Sequence, residues 1–423
     1  MNTWCRTSRQ FVSGISKKFQ LQQKRNAAKD QWIPMTDHSL EKPQLKFKDK
    51  IDNSNTPFKP RIRYKPNAKL SLDDSMALPS DVTPEMTRSP HFVYPHPYEF
   101  ELECFQLDDK FLNRSEPIAP KPIQDTDCTL VSDVNELNKM FDVLLREDEI
   151  AIDLEHHDLR SFQGFTCLMQ ISTRTEDFIV DTLALRSELH ILNEVFTNPK
   201  IIKVFHQCGQ DILWLQRDLG LYIVNLFDTG QAAEFQRIQQ PSLAYLIKQY
   251  CNILIDKKHR YADWRVRPLS AEMVEYARLD SHYLLYLYDR LRNELIERDE
   301  RSNYYLLKMI DKCTKKCAQV YKKPIYTDDL YLKLLPKSKT KLNSQQINAL
   351  KHLYSWREKI ARSKDESRVY VLPDPVVLKI SERLPETKDD LFTCWTKRSS
   401  ISTLVEQNTE EILNIIRYAR NIK

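Results

Sequence analysis

The alternation of apolar and polar positions divides the chain into a part without sustained periodicity and a patterned remainder. Residues 1 to about 122 are rich in Pro, Lys, Ser and Asn, and they predict a mostly extended arm. After about residue 128, short apolar runs bounded by polar turns predict strands at Ile150–Leu154, Cys167–Ile171, Phe178–Val180, Ile201–Phe205 and Val224–Phe227. Helical patterns lie between and after these runs. This order predicts an α/β sheet with helices packed on it.

The last third of the chain has a helical pattern. Residues 268–310 are almost wholly helical in pattern, and residues 311–337 have the composition of a connector. A further block begins at Asn343, a polar cap that precedes apolar residues at helical spacing. This block predicts a small all-helical module.

Composition excludes several classes of protein. The five glycines form no Gly-rich loop, which disfavours Walker-type ATPases and dinucleotide-binding folds. No apolar run approaches the roughly 20 residues that span a bilayer, so we exclude an integral membrane protein. Nine irregularly spaced cysteines favour a reducing compartment. The close pair Cys313 and Cys317 is expected on one helix face, and a zinc site there is disfavoured by its spacing.

The net charge of +5 is concentrated near the N-terminus. Residues 1–29 contain seven Lys or Arg and no acid, and residues 42–69 add basic residues interleaved with Phe47, Phe58 and Tyr64. Basic arms with aromatic residues favour a polyanionic partner. The alternative is a solvated linker.

Acidic residues form the candidate chemistry. Asp153 and Glu155 are two apart on an apolar run, so a strand would place both on one face. Tyr276 and Asp280 are four apart in a helical stretch and would share a helix face, and Asp211 begins another helix. Each has a structural alternative: solvated acids on an edge strand, a helix cap at Asp211, a packed aromatic, or an Asp280 ion pair. Together these carboxylates are ligands that Mg²⁺ or Mn²⁺ prefers.

Four segments carry a resemblance to a known family. Residues 150–157 (IAIDLEHH), 206–217 (HQCGQDILWLQR), 262–267 (ADWRVR) and 276–280 (YARLD) resemble the DEDD-Y exonucleases, the family that includes RNase D. Its nuclear-exosome members are more similar still, including at residues 42–58 and 342–385. The resemblance implies an RNase H-like mixed-sheet exonuclease domain (123–310) and a helical HRDC domain (338–420). The extended arm (1–122) precedes the first domain, and the connector (311–337) separates the two.

The same resemblance implies a 3′–5′ exoribonuclease that releases 5′-nucleotide monophosphates by hydrolysis with two Mg²⁺ or Mn²⁺ ions. Asp153, Glu155 and Asp280 would hold one ion, and Asp153 and Asp211 the second. Tyr276 would orient the attacking water, because a phenol with a pKa near 10 is a poor base at neutral pH.

Substrate contacts and partners are also implied by the resemblance. His156, Trp214 and Lys257 would contact the terminal nucleotide, although a core tryptophan and a surface lysine are the alternatives. The expected partners are 3′ ends of single-stranded RNA and exosome core or adaptor proteins. Since the sequence ends at Lys423, directly after the HRDC-like block, we expect ring binding to be weak or adaptor-dependent. Nuclear localisation is expected, with a mitochondrial alternative from the acid-free residues 1–29.

One departure from the family pattern affects the expected activity. The family has His-Gly-Ala before the third carboxylate, whereas this chain has His206-Gln207-Cys208-Gly209. A side chain in place of glycine could move the backbone or crowd the cleft. Two other functions therefore stay open: a catalytically weak RNA-binding scaffold, and a DNA-directed 3′–5′ exonuclease.

Overall fold

A computed structural model describes residues 40–256, 258–299, 301–338, 341–395 and 401–422. The basic segment 1–29 and Lys257, both singled out in the sequence, lie outside these residues. Over the described ranges, no helix has the length and apolar character needed to cross a membrane.

Residues 41–122, here called the N-terminal strap, have little regular structure, but they are packed on the rest of the protein. Their longest helices are α1 (Leu72–Met76) and α2 (Glu99–Glu103). Tyr98 and Leu102 are buried in the same core as the central sheet. Glu101 is buried too, and Lys65 Nζ lies 2.8 Å from its carboxylate. These residues therefore differ from a solvated linker, because aromatic and apolar side chains anchor them.

The described residues form one mixed sheet of six strands. The strands are β1 (Asp127–Val131), β2 (Glu149–His157), β3 (Phe165–Ser172), β4 (Glu176–Val180), β5 (Ile202–Phe205) and β6 (Leu226–Asp228). Their order is β1-β4-β3-β2-β5-β6, with β3 antiparallel to both neighbours and the other pairs parallel. Five strands match the predicted runs. The sequence did not predict β1, whose largely exposed side chains lack the apolar pattern of a core strand.

Helices cover the sheet. They are α3 (Val134–Leu144), α4 (Asn193–Phe196), α5 (Gly209–Trp214), α6 (Thr229–Phe235), α7 (Leu243–Cys251), α8 (Ala271–His282), α9 (Leu284–Glu297) and α10 (Tyr304–Cys317). A π-helical turn, Leu215–Leu219, continues α5. Helix α10 runs beyond the expected boundary at residue 310 and buries Cys313 and Cys317 on one face, as predicted. The predicted mixed α/β fold is confirmed.

The C-terminal helices form a second core, which confirms the predicted helical module. They are α11 (Ser344–Lys364), α12 (Arg368–Val371), α13 (Asp374–Arg383), α14 (Lys388–Phe392), α15 (Thr403–Gln407) and α16 (Thr409–Arg420). Asn343 and Gln346 form a capping box at the start of α11. Phe162, from the β2–β3 loop, packs into this core, and Arg160 Nη2 lies 2.7 Å from Glu366. The module is therefore fixed beside the strand that carries Asp153 and Glu155.

Candidate active site

Strand β2 presents two carboxylates on one face. Asp153 and Glu155 alternate with Ile152 and Leu154, which are buried in the core. The strand lies in the middle of the sheet between β3 and β5, so its acids do not belong to an edge strand. The alternative of edge-strand acids is therefore wrong, and the acids face a part of the protein that other elements cover.

Helix α8 brings Tyr276 and Asp280 over this part of the sheet. The helix packs across β2, β3 and β4. Its first turn is capped by Ser270, whose hydroxyl accepts a hydrogen bond from Met273 N. Just before the helix, Arg267 binds Asp181 through Nε at 2.6 Å and Nη2 at 2.9 Å. These contacts fix where α8 begins and so which of its residues reach β2.

The opposite face of α8 is held by Asp177 of β4. Arg278 donates to Asp177 Oδ2 through Nε at 3.0 Å and Nη2 at 2.9 Å, and His282 Nδ1 lies 3.0 Å from the same oxygen. Ser172 Oγ donates to Asp177 at 2.6 Å and lies 2.8 Å from Ser281 Oγ. Arg278 thus forms an ion pair with Asp177. This clamp turns the face with Tyr276 and Asp280 toward β2.

The result is a close group of carboxylates. One oxygen each of Asp153, Glu155 and Asp280 lie within 4.8 Å of one another. Burial raises the pKa of Asp153 and of Glu155 well above their usual values, and repulsion from Asp280 and Asp211 raises them further. Burial, followed by repulsion from Asp228, raises the pKa of Asp211 to about 7. Asp211 is therefore electrostatically part of the group, although it lies outside the tightest set of three.

This donor set suits a divalent cation. Carboxylate oxygens are the hard ligands that Mg²⁺, Mn²⁺ and Ca²⁺ bind. Partly buried acids at this separation repel one another unless a cation or protons neutralise them. Among the described residues, the sequence-predicted ligands Asp153, Glu155 and Asp280 form the group of three suited to a metal ion. Asp211 is close enough to raise the pKa of Asp153 and of Glu155.

His156 and Trp214 stack on each other beside the carboxylates. Their rings are 4.1 Å apart and inclined by 5°. The pairing register of β2 with β3 shifts between Glu155 and His156, which breaks the strict alternation of side chains there. Arg217 Nη2 donates to His156 Nε2 at 2.9 Å, and burial together with this guanidinium lowers the pKa of His156 to about 3. His156 is therefore neutral and fixed in orientation.

A glycine makes room for this stack. Gly164 has a φ of +73°, and a Cβ there would lie 2.3 Å from His156 Cε1. Sequence reasoning assigned no role to Gly164 or to Arg217. For Arg217 the signal was present, since it ends the segment 206–217 that carries the family resemblance.

Of the other predicted substrate contacts, Trp214 is partly exposed on α5, and Lys257 lies outside the described residues. The Tyr276 ring is tilted against Trp264, with centroids 6.1 Å apart. Trp264 itself is buried.

The atypical Gln207 takes a backbone conformation that favours glycine. Its φ is +55°, in the left-handed region. Gln207 N donates to Asp228 Oδ1 at 2.8 Å, and its side-chain amide donates to Pro241 O at 3.0 Å. Asp228 also receives Lys316 Nζ at 2.5 Å and caps α6. The loop before Asp211 therefore keeps a glycine-like backbone although a glutamine occupies it.

Comparisons with known proteins agree with this architecture. The sequence model of a family described as 3′–5′ exonuclease matches residues 128–296, and the HRDC domain model matches residues 346–416. The chain thus contains a 3′–5′ exonuclease domain followed by an HRDC domain.

Three similar proteins define the family. The chain is 45% identical to rat (Rattus norvegicus) exosome complex component 10, over 90% of this chain and 45% of the rat protein. It is 42% identical to the exosome complex exonuclease RRP6 of Saccharomyces cerevisiae, over 91% of this chain and 52% of that protein. The crystal structure of the catalytic core of RRP6 from Trypanosoma brucei superposes with a TM-score of 0.78 at 36% identity, covering 90% of this chain and 99% of that core. The chain belongs to the RRP6 and exosome component 10 family, and it spans about half the length of these full-length relatives.

Proposed function

We propose that this protein is a metal-dependent exoribonuclease that removes nucleotides from RNA 3′ ends by hydrolysis, releasing 5′-nucleotide monophosphates. The observation that carries the proposal is the group of Asp153, Glu155 and Asp280, whose oxygens lie within 4.8 Å of one another in an exonuclease domain. Membership of the RRP6 family supports RNA as the substrate.

The four carboxylates have the role of metal ligands. Asp153, Glu155 and Asp280 would hold one Mg²⁺ or Mn²⁺, and Asp153 with Asp211 a second. When bound, two such ions stabilise the attacking and leaving oxygens of an in-line displacement. Asp211 contributes from the start of α5, which Asp228 and Lys316 support through the preceding loop.

Tyr276 and the aromatic stack act on water and substrate. Tyr276 lies one helical turn from Asp280, from where its hydroxyl would orient the attacking water. The exposed part of Trp214 would stack on the terminal base without reading its identity, and His156 would hold the indole in place. Lys257 would meet a phosphate as a point charge.

The proposed partners are single-stranded RNA 3′ ends and the exosome, either its core or its adaptor proteins. The names of the mammalian and yeast relatives support this association. We propose nuclear localisation on the same basis.

Single-turnover trimming of a 5′-labelled, single-stranded RNA tests the proposal. We expect a ladder that shortens from the 3′ end, that requires Mg²⁺ or Mn²⁺, and that disappears in EDTA. A DNA strand of equal sequence is the control: equal trimming would favour a DNA-directed exonuclease. Metal-independent RNA binding without trimming would favour the scaffold, a function suggested by Gln207.

A further inference from the structure

A cavity of about 500 Å³ lies between the N-terminal strap and the exonuclease domain, on the side of the π-helical turn. Strap residues from Ile51 to Arg61 form one wall, and Arg186, Arg217 and Asp218 of the exonuclease domain form another. Lys59 and Arg88 reach it from exposed positions. The cavity is separate from the carboxylate group, since none of the proposed metal ligands lines it.

The charges around this cavity are unbalanced. Six Lys or Arg side chains line it, against the two carboxylates of Asp52 and Asp218. Asp52 is occupied by Lys323, whose Nζ lies 2.6 Å from Oδ2. Asp218 binds two guanidinium groups at once: Arg217 at 2.7 Å and Arg186 at 3.2 Å. The cavity wall therefore has an excess of positive charge.

Among the side chains that line the cavity, Arg186 is the one with buried donors that lack a partner in the described part of the protein. It is only 8% exposed, and its guanidinium lies 4.8 Å from the Phe47 ring centroid. Within the part of the chain that the structure describes, Nε and Nη1 of Arg186 have no hydrogen-bond partner. A buried donor without an acceptor destabilises the protein, and the cost is larger when the donor is charged. Its neighbour Arg217 differs, because Asp218, Gln163 O and His156 take up its donors.

We propose that this cavity is a binding site for a phosphate-bearing ligand, which supplies the acceptor oxygens that Arg186 lacks. Phosphate oxygens match the planar fork of a guanidinium, and arginine is the side chain best suited to them. Lys59, Arg61 and Arg88 also line the cavity, and their charges neutralise further phosphate charge. The volume accommodates one phosphate group or a short polyphosphate. Bound there, the ligand bridges the strap and the exonuclease domain.

Binding of sodium tripolyphosphate to the full chain tests this site. Calorimetric titration is carried out at constant ionic strength with EDTA, so that no divalent ion in the carboxylate group can bind phosphate. We expect saturable binding to the wild type. The paired substitution Lys59→Ala with Arg88→Ala should weaken it by roughly tenfold or more, since it removes two charged partners from exposed positions.

A matched variant controls for overall charge. Arg146→Ala with Lys200→Ala also removes two exposed cations, but from outside the cavity, and it should bind tripolyphosphate as the wild type does. Arg186→Gln should abolish binding. If it unfolds the protein, the Lys59 and Arg88 pair decides the result. Equal weakening by the control pair, or no saturable binding to the wild type, would overturn the proposal.

Competition distinguishes two sources of the phosphate. If single-stranded RNA displaces tripolyphosphate, and the Lys59 and Arg88 variant loses affinity for both, the cavity takes a backbone phosphate of RNA. If tripolyphosphate stays bound while RNA binds, the ligand is a small soluble polyphosphate. Both results support a phosphate site. Melting temperature gives a second readout, because a ligand that binds only the folded state raises it, and it should rise less in the Lys59 and Arg88 variant than in the wild type.

Discussion

The carboxylates on the two sides of helix α8 have pKa values that are shifted in opposite directions. Toward β4, burial alone would raise the pKa of Asp177, but hydrogen bonds from His282, Ser172 and Arg278 bring it below its usual value. Toward β2, burial and mutual repulsion raise the pKa of Asp153 and Glu155 well above their usual values. On the side of β4, hydrogen-bond donors and cations of the protein neutralise Asp177. On the side of β2, negative charges lie close together.

This difference separates structural acids from candidate ligands. Asp177 fixes helix α8, and cationic and hydroxyl donors surround its carboxylate. At Asp153 and Glu155, the dominant influences are burial and other acids, so protons or a bound cation must provide the neutralising charge. If Asp153 and Glu155 were purely structural, substitutions in their group would lower stability as substitutions at Asp177 do. The following tests separate the two cases.

The largest effect is expected from Asp211→Asn. Asparagine keeps the size and one oxygen of aspartate but removes the charge proposed to hold the second ion. We expect Mg²⁺-dependent trimming to fall to background, with RNA affinity and folding retained. Single-turnover release of 5′-nucleotide monophosphates measures the loss, and RNA binding in EDTA is the control. Trimming at the wild-type rate would mean that the cluster is structural.

Asp177→Asn should instead lower the stability of the protein. Removing this charge leaves the largely buried Arg278 without its ion-pair partner, so we expect a loss of about 3–5 kcal/mol in the free energy of unfolding. Urea denaturation measures it. Asp311→Asn, which breaks an exposed pair with Lys315, is the matched control and should cost less than about 1 kcal/mol. Equal effects would show that the clamp contributes little.

Tyr276→Phe tests the catalytic face without changing its charge. It removes one hydroxyl and leaves every proposed metal ligand in place, so we expect the single-turnover rate to fall by roughly 10–10³-fold. Substrate affinity and melting temperature should stay close to wild type. Complete loss of activity, equal to that of Asp211→Asn, would instead indicate that the hydroxyl positions Asp280 or the metal.

The Asp177 clamp and the group of proposed metal ligands should also respond to pH with opposite signs. The pKa of Asp211 is raised from 3.8 to about 7, so its stabilising contribution is complete below pH 3.8 and is lost as pH rises through about 7. The contribution of Asp177, whose pKa is lowered, is present above 3.8 and is lost on acidification. In EDTA, melting temperature should therefore fall less between pH 4 and 8 for Asp211→Asn than for wild type. Identical slopes would contradict the raised pKa.

Periodicity predicted which acids share a face, because a strand repeats every two residues and a helix turn brings positions four apart together. It could not show that α8 lies over β2, since that placement depends on Arg267 and on the Asp177 clamp. Periodicity also could not show that Arg186 and Arg217 both bind Asp218. Arg217 and Asp218 lie in the π-helical turn Leu215–Leu219, which has no signature in apolar spacing.

The sequence showed that Gln207 occupies a position where the family has glycine. It did not show how the glutamine affects the backbone. The sequence suggested a moved backbone or a crowded cleft. The structure retains a left-handed backbone, held by Asp228 Oδ1 at 2.8 Å from Gln207 N, and the side chain is directed to Pro241 O. The conformational cost is therefore offset locally, before the chain reaches Asp211.

The smallest effect is thus expected from Gln207→Gly. Glycine relieves about 1 kcal/mol of left-handed strain, but it loses the hydrogen bond to Pro241 O and gains entropy in the unfolded state. These terms oppose one another, so stability should change by less than about 1 kcal/mol and the trimming rate by less than about threefold. Gln207→Val is the contrast: a β-branched side chain at this φ should destabilise by about 1–2 kcal/mol, because its second γ carbon crowds the backbone and it cannot donate to Pro241 O. Urea denaturation and single-turnover trimming measure both variants. A tenfold faster rate for Gln207→Gly would show that the glutamine restricts the cleft, and would move this protein toward the weakly active scaffold that its sequence left open.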